Sequence, residues 1–465
     1  MGSELCRLGA LDLAELIRAR QVTSKEVVEA HLARIDEVNP QLNAVTVVLA
    51  NDALAAADAA DRALSSGAQT GALHGVPVTV KENIDLAGSA TTQGLVAMAE
   101  AVPPIDAPHM AQAKAAGAIP IGRTNLPDFG MRWHTDNGLR GPTKNPWDRS
   151  RTPGGSSGGE AAALATGMTP LGFGNDYGGS LRWPSQCCGT AALRPTLGRV
   201  PQASALPPED APITLQLYAV QGPMARHVRD LRLALGCISG PDARDPWWMP
   251  APLKGTAAEP PIRVAMVLDP GGEGVDADVA AGVQRAAEAL RDAGYAVEEV
   301  DLPMLSEARD TWAATVVTEL RLGLYEMLKP IACADALTFL DGIFEGIPSL
   351  DHSGYMMSFA QRNAIARAWS QFFETYPLVL GPVSTMQPFP VGFDLEDPIQ
   401  VLNSLRLVVA ANLLGLPAAA LPVGVANGLP QGVQVIGNRY REDLCLDAAE
   451  AIEDRLGVVT PIDPR

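Results

Sequence analysis

Apolar residues recur at i, i+3 and i+4 over residues 11–18 and 27–38, the spacing of helices that each bury one stripe. Thr23 and Ser24 offer an N-cap for the second of them. The alanine-rich stretch 51–64 predicts a third helix, ending at Ser66-Gly67. The period then changes. Val78-Thr79-Val80-Lys81-Glu82-Asn83-Ile84 predicts a short β-branched strand with a lysine near its end. A helix over 107–116 stops at Gly117, and Ile119-Pro120-Ile121-Gly122 reads as a short buried strand. Between residues 153 and 189 two Gly-Gly-Ser turns flank an apolar segment with the look of a short helix. Further on, helices are predicted over 228–238, 278–293, 402–414 and 444–456, and residues 304–376 read as mostly helical. Strands are predicted over 263–268, 297–300 and 378–380, with a pair at 421–423 and 433–436 around Asn427-Gly428. Helices alternating with short apolar strands indicate an α/β fold with helices packed on a central sheet. There is no internal repeat and no long disordered linker, so one domain is expected although 465 residues would allow three.

Charge narrows the partners. The chain carries 35 Lys and Arg against 53 Asp and Glu, a net charge of −18, and no basic run offsets it. Nucleic acid and anionic membranes, which select basic surfaces, are therefore not expected partners. The six cysteines (Cys6, Cys187, Cys188, Cys237, Cys333, Cys445) are scattered without a CxxC pair, so neither a metal site nor a disulfide framework is expected. Free buried thiols suit a reducing compartment. The N-terminal stretch is an amphipathic helix carrying acids and lacks the pattern of a signal peptide. No apolar run approaches the roughly 18 residues of a membrane span. The expectation is a soluble, cytoplasmic protein.

The candidate chemistry lies in the two turns, Gly154-Gly155-Ser156 and Gly178-Gly179-Ser180. Glycines there permit φ > 0 and close approach of a ligand. A serine just after such a turn is presented among free N–H groups, as a nucleophile with an oxyanion hole requires. Its base is not obvious from spacing. None of the six histidines sits in a motif with a partner, and neither turn is a G-x-S-x-G elbow. His134, with Asp136 in a Gly/Pro-rich loop, reads as a loop residue near the pocket rather than as the base. A lysine can serve if burial makes it neutral, and Lys81 between Val80 and Ile84 fits, although a surface charge at a strand end is an equal reading. A phosphate loop is disfavoured because Gly158-Gly159 is followed by Glu160 rather than by Lys-Ser/Thr. Gly271-Gly272 lacks the G-x-G-x-x-G form.

Taken together, Gly75-Val76-Pro77-Val78-Thr79-Val80-Lys81-Glu82-Asn83, Pro153-Gly154-Gly155-Ser156-Ser157-Gly158-Gly159 and Asp176-Tyr177-Gly178-Gly179-Ser180-Leu181-Arg182 resemble the amidase signature family. Thr124-Asn125 and the stretches 141–147, 222–226 and 428–434 are similar to it too, so the likeness runs from about residue 10 to the end. The resemblance implies a single α/β domain, a mixed central sheet flanked by helices on both faces. Within it, N-terminal helices would occupy 10–66, the signature core 73–240 and a variable substrate-pocket segment about 305–400. It implies a Ser-cisSer-Lys triad and an acyl-enzyme: Ser180 the nucleophile, Ser156 the bridging serine on a cis peptide, Lys81 the base. The N–H groups of Tyr177, Gly178, Gly179 and Ser180 would hold the oxyanion. Ser157, Asp176 and Arg182 would support the triad by hydrogen bonding, with Thr152 joining them. No cofactor and no metal is implied.

The sequence departs from the family at Asn175-Asp176-Tyr177, where Thr-Asp-Thr or Thr-Asp-Ile is usual. Tyr177 would set an aromatic ring beside the oxyanion turn, and Trp183 reads as packing. The implied substrates are small-molecule amides, including aryl amides and carbamates (urethanes). Their pocket would draw on Met131, Trp133, Thr135 and Tyr177. Met327, Phe339, Phe344, Met356 and Phe389 suit a hydrophobic or aromatic substrate, or simply a core. One alternative is the glutaminase component of a tRNA-dependent amidotransferase, disfavoured by the short chain, the low basic content and the altered run. Another is a non-catalytic binding protein on the same fold, against which the three triad residues argue. A monomer or homodimer is expected.

Overall fold

Eleven strands join in one sheet in the computed structural model, which describes residues 2–207 and 210–465. They are β1 (Val45–Val48), β2 (Pro77–Lys81), β3 (Ile119–Thr124), β4 (Leu171–Asp176), β5 (Ala191–Arg194), β6 (Val220–Ala225), β7 (Arg263–Met266), β8 (Ala296–Glu299), β9 (Leu378–Pro382), β10 (Ala418–Ala426) and β11 (Leu429–Gly437). Their order is β1-β3-β2-β4-β6-β5-β10-β11-β9-β7-β8. β2 runs parallel to β3 and β4, β7 parallel to β8 and β9, and the other pairs are antiparallel. Met1, at the head of the predicted N-terminal helix, lies outside the described residues.

Side chains alternate between two apolar cores, as a strand's period of two requires. Leu378 and Leu380 enter one core and Val379 the other; Ala419 and Leu421 oppose Ala418 and Ala420 in the same way. The helices Pro108–Ala115, Val228–Ile238, Ala277–Asp292 and Glu442–Leu456 cover one face. Ser24–Leu42, Gly158–Ala165, Leu305–Glu319 and Arg406–Leu414 cover the other. The result is the expected α/β architecture, a mixed sheet with helices on both faces. The predicted cap is present: Thr23 Oγ1 accepts from the Glu26 N–H at 3.1 Å, and the Glu26 carboxylate accepts the Thr23 N–H at 2.8 Å. Asn427 and Gly428, at φ 51° and 79°, form the predicted hairpin turn between β10 and β11.

The structure corrects the reading in three places. The segment between the Gly-Gly-Ser turns is a helix, Gly158–Ala165, followed by β4 rather than helix alone. β5 and β6 also went unpredicted. The lysine-bearing strand ends at Lys81, because the Ile84 N–H turns back to the Lys81 carbonyl at 3.0 Å. Finally, Phe339, Phe344 and Phe389 are buried in the core, whereas Met327 and Met356 are 58% and 71% exposed. All six cysteines are free. Among the described residues no helix is long and apolar enough to cross a membrane.

Candidate active site

β2 and β4 are parallel neighbours, with Val80 opposite Phe173, so their C-terminal ends bring Lys81 next to Asn175 and Asp176. The carboxyl ends of parallel strands are where α/β sheets commonly place ligands. Val78 and Val80 point into one core, so Thr79 and Lys81 face the helix Gly158–Ala165 on the other side. Lys81 is fully buried, and its Nζ donates to Ser156 Oγ at 2.7 Å and to Asn175 Oδ1 at 2.8 Å. Burial lowers its pKa from 10.5 to about 7, against the upward pull of Asp176 and Glu160. A lysine in that range is substantially neutral at neutral pH and can take a proton.

Ser156 closes the first turn, and the Gly155–Ser156 peptide is cis. The turn lies so close to the loop before it that a Cβ on Gly155 would stand 2.4 Å from the Arg132 carbonyl oxygen. Thr135 pins it from below: its hydroxyl donates to the Gly154 carbonyl at 2.8 Å and accepts the Gly158 N–H at 3.1 Å. Thr135 is fully buried there, so it supports the turn rather than lining a pocket. Thr152 Oγ1 accepts the Gly154 N–H at 3.0 Å and lies 3.0 Å from His134 Nδ1. Burial holds His134 down at about 4, so this imidazole is neutral in the physiological range.

The second turn is built around Asp176. Its carboxylate accepts the Gly179 N–H at 2.9 Å, the Leu181 N–H at 3.2 Å, both Arg182 Nε and Nη2 at 3.1 Å, and Asn412 Nδ2 at 2.8 Å. Arg194 donates to the Asp176 carbonyl at 2.8 Å. Burial pushes this carboxyl up, but the Arg182 and Arg194 guanidinium groups overcome it and hold Asp176 well below the usual carboxylate range. Two indoles brace the turn from the roof: Trp312 Nε1 donates to the Tyr177 carbonyl at 3.2 Å, and Trp133 Nε1 to the Gly178 carbonyl at 2.9 Å. A planar trans peptide points its N–H opposite its C=O. Fixing those two carbonyls therefore fixes the Gly178 and Gly179 N–H directions.

Of the four expected oxyanion donors, Gly179 is thus already engaged by Asp176. The N–H groups of Tyr177, Gly178 and Ser180 meet no acceptor among the described residues. Ser180 makes no side-chain hydrogen bond to a described residue and is 6% exposed, against 2% for Ser156, so Ser180 is the more accessible hydroxyl.

The remaining expected residues fall as follows. Ser157 Oγ is buried with no hydrogen-bond partner, so the expectation that it supports the triad by hydrogen bonding is corrected. Met131 is partly buried against the core beside Gly130. Trp133 packs edge-on against Phe339 at 5.6 Å, which with its indole bond makes it a support for the turn. The Tyr177 ring is held between Tyr218 at 6.5 Å and Trp312 at 5.8 Å, and its hydroxyl hydrogen-bonds Thr214 Oγ1 at 2.6 Å. Trp183 stacks on Phe389 at 5.7 Å and is packing, as expected.

Sequence reasoning did not place Asn83, Glu160, Arg194, Asn412, Trp312 or Gly130 at the site, and it marked Asn175 only as a departure. Asn175 Nδ2 donates to Asn83 Oδ1 at 2.9 Å. Glu160 accepts hydrogen bonds from the Thr79 hydroxyl and from Thr124 Oγ1, the latter at 2.8 Å. Burial raises its carboxyl to about 7. The absent side chain at Gly172 makes room for it, since a Cβ there would lie 1.9 Å from Glu160 Oε1. The Glu160 position next to the turn and the Thr79–Lys81 alternation were visible signals, but their meeting required the β2–β4 pairing.

A family model described as Amidase matches residues 26–446. An indoleacetamide hydrolase of Bradyrhizobium diazoefficiens is 44% identical over 455 residues, covering 97% of this chain and 87% of that protein. The A chain of the glutamyl-tRNA(Gln) amidotransferase of Anaeromyxobacter sp. (strain K) is 32% identical over 499 residues, covering 98% and 97%. Among solved structures, a bacterial aryl acylamidase of the amidase signature enzymes superposes with a TM-score of 0.83 at 26% identity, over 96% of each chain.

Proposed function

The chain belongs to the Amidase family, and from that premise we propose that it hydrolyses the carbon–nitrogen bond of small aryl-bearing amides through Ser180, Ser156 and Lys81. The observation that carries the reading is the fully buried lysine, with Nζ 2.7 Å from Ser156 Oγ and a pKa brought to about 7. Ser180 Oγ attacks the amide carbonyl carbon. Ser156 takes the Ser180 proton as it passes its own to neutral Lys81. The oxyanion gathers at the N–H groups of Tyr177, Gly178 and Ser180, each worth on the order of 3 kcal/mol in such sites. The relay then returns a proton to the leaving nitrogen, the C–N bond breaks, and amine or ammonia departs. Water, deprotonated by the same route, attacks the acyl-enzyme and releases the acid. Asp176, Arg182 and Arg194 hold the turn so that these donors need not reorganise.

The substrate reading rests on the relatives. An indoleacetamide hydrolase at 44% identity favours an arylacetamide bearing a primary amide. Anilides and carbamates present the same carbonyl to the same attack and complete the candidate set. A panel of indoleacetamide, aliphatic amides, anilides, carbamates and glutamine tests it, with indoleacetamide expected to give the highest kcat/KM. The 32% identity to an amidotransferase component supports a second reading, glutaminase action within a larger complex. Preference for glutamine over every aryl amide in the panel would favour that reading instead. A chain that turned over none of them and took no fluorophosphonate on Ser180 would be a binding protein.

A further inference from the structure

Two hydrogen bonds hold the Lys81 amine, and the proposed mechanism uses only the one to Ser156. A neutral amine carries two hydrogens and one lone pair, and rotation about Cε–Nζ gives three staggered arrangements. Proton transfer from Ser156 needs the lone pair on the Ser156 side. Asn175 Oδ1, 2.8 Å from Nζ, can only accept, so it takes an N–H and excludes the arrangement in which the lone pair faces it. The amide cannot present its NH2 instead, because Nδ2 of Asn175 is donated to Asn83 Oδ1 at 2.9 Å. Asn83 Nδ2 returns a longer bond to Asn175 Oδ1 at 3.4 Å, closing a reciprocal pair. We propose that Asn175, clamped by Asn83, is a positioning residue that holds the Lys81 amine with its lone pair available to Ser156, using an acceptor that carries no charge. This rests on Lys81 acting as the base.

The neutrality of that acceptor matters because the other groups around Lys81 are charged or ionisable. Asp176 on β4 is paired with Arg182 and lies 3.6 Å from an Arg194 nitrogen. Glu160, on the helix Gly158–Ala165, is held by Thr79 and Thr124. Arg123 on β3 donates to the Lys81 carbonyl at 3.1 Å, and the adjacent Glu82 is paired with Arg140 at 2.6 Å. A carboxylate at position 175 would keep the geometry and add a negative charge against Nζ.

The test is the pH dependence of kcat and kcat/KM for the full-length enzyme and its variants on indoleacetamide. If the panel names another substrate, that one is used. In Asn175→Asp the acid limb is expected to move up by about one pH unit or more, with activity returning toward pH 10. Asn175→Ala is expected to lose about tenfold in kcat with KM nearly unchanged and to move the limb down, since the acceptor that favoured the ammonium is gone. Asn83→Ala should follow it in direction, and these two variants carry the test if Asn175→Asp does not fold. Limbs that coincide with the wild type in all three, with Lys81→Met inactive, would overturn the role of Asn175 alone. A wild-type profile flat from pH 5 to 9, or an active Lys81→Met, would overturn the lysine base and this inference with it.

Discussion

Lys81 combines two properties that oppose each other, an amine and complete burial, and the site resolves the conflict by making it neutral near pH 7. Because its folded pKa lies at about 7, activity is predicted to fall as pH drops through that value and the amine takes a proton. A kcat/KM profile measured from pH 5 to 9 checks this, and half-maximal activity near pH 7 is the expected result. Gly130 makes a second prediction at this scale. It sits at φ +69°, and a Cβ there would stand 3.0 Å from Ser156 Oγ. Gly130→Ala is therefore expected to lower kcat by about 10–100-fold through displacement of Ser156 while circular dichroism stays as in the wild type. Much of the candidate site was legible residue by residue. Both serine turns and a lysine that burial could neutralise were visible in the residues, and the family resemblance joined them. Asn175 was visible only as a departure, because its partners Lys81 and Asn83 lie more than 90 positions away and meet it only across paired strands.

At the scale of elements, the oxyanion turn is set by what grips it from two sides. Asp176 fixes its N–H groups from below, and Trp312 and Trp133 fix its carbonyls from above. Trp312→Phe keeps a ring in place and removes only the donor to Tyr177. It is expected to lower kcat with little change in KM, as loss of a transition-state support does. The strands that carry the turn were the hardest to read. β4 is Leu-Gly-Phe-Gly-Asn-Asp, without a single β-branched residue. Its glycines are there because Glu160 and Ser157 occupy the space their side chains would take. β5 and β6 are rich in alanine and glycine for a related reason, being buried between helices that pack close to the sheet. Such strands lose the alternation that marks a half-exposed one. The hairpin of β10 and β11, by contrast, was legible from Asn427-Gly428 because that dipeptide favours the turn locally.

Across the whole molecule, stability and chemistry pull against each other at the same residues. Asp176, Arg182 and Arg194 are fully buried, and through Gln434 and Asn412 they tie β4 to β11 and to the helix Arg406–Leu414. Asp176→Ala would leave two guanidinium groups buried without their carboxylate, an expected loss of about 3–5 kcal/mol seen in the urea midpoint. Lys81 acts in the opposite sense. Its folded pKa of about 7 lies below its ordinary 10.5, so folding must strip its proton anywhere between those values. The penalty is full below pH 7, shrinks as pH rises and is gone above about 10.5. Lys81→Met is predicted to raise Tm by several degrees at pH 6 to 7 and to converge on the wild type toward pH 10.5, while abolishing turnover. That a buried lysine is retained at a cost in stability fits a residue kept for its chemistry.

The central claim, that Ser180 attacks while Ser156 and Lys81 move its proton, is tested most directly by peptide mapping after reaction with a fluorophosphonate. The account predicts one adduct, on the hydroxyl of Ser180, absent in Ser180→Ala and formed far more slowly in Lys81→Met. An adduct on Ser156, or full hydrolytic activity in Ser180→Ala, would contradict it.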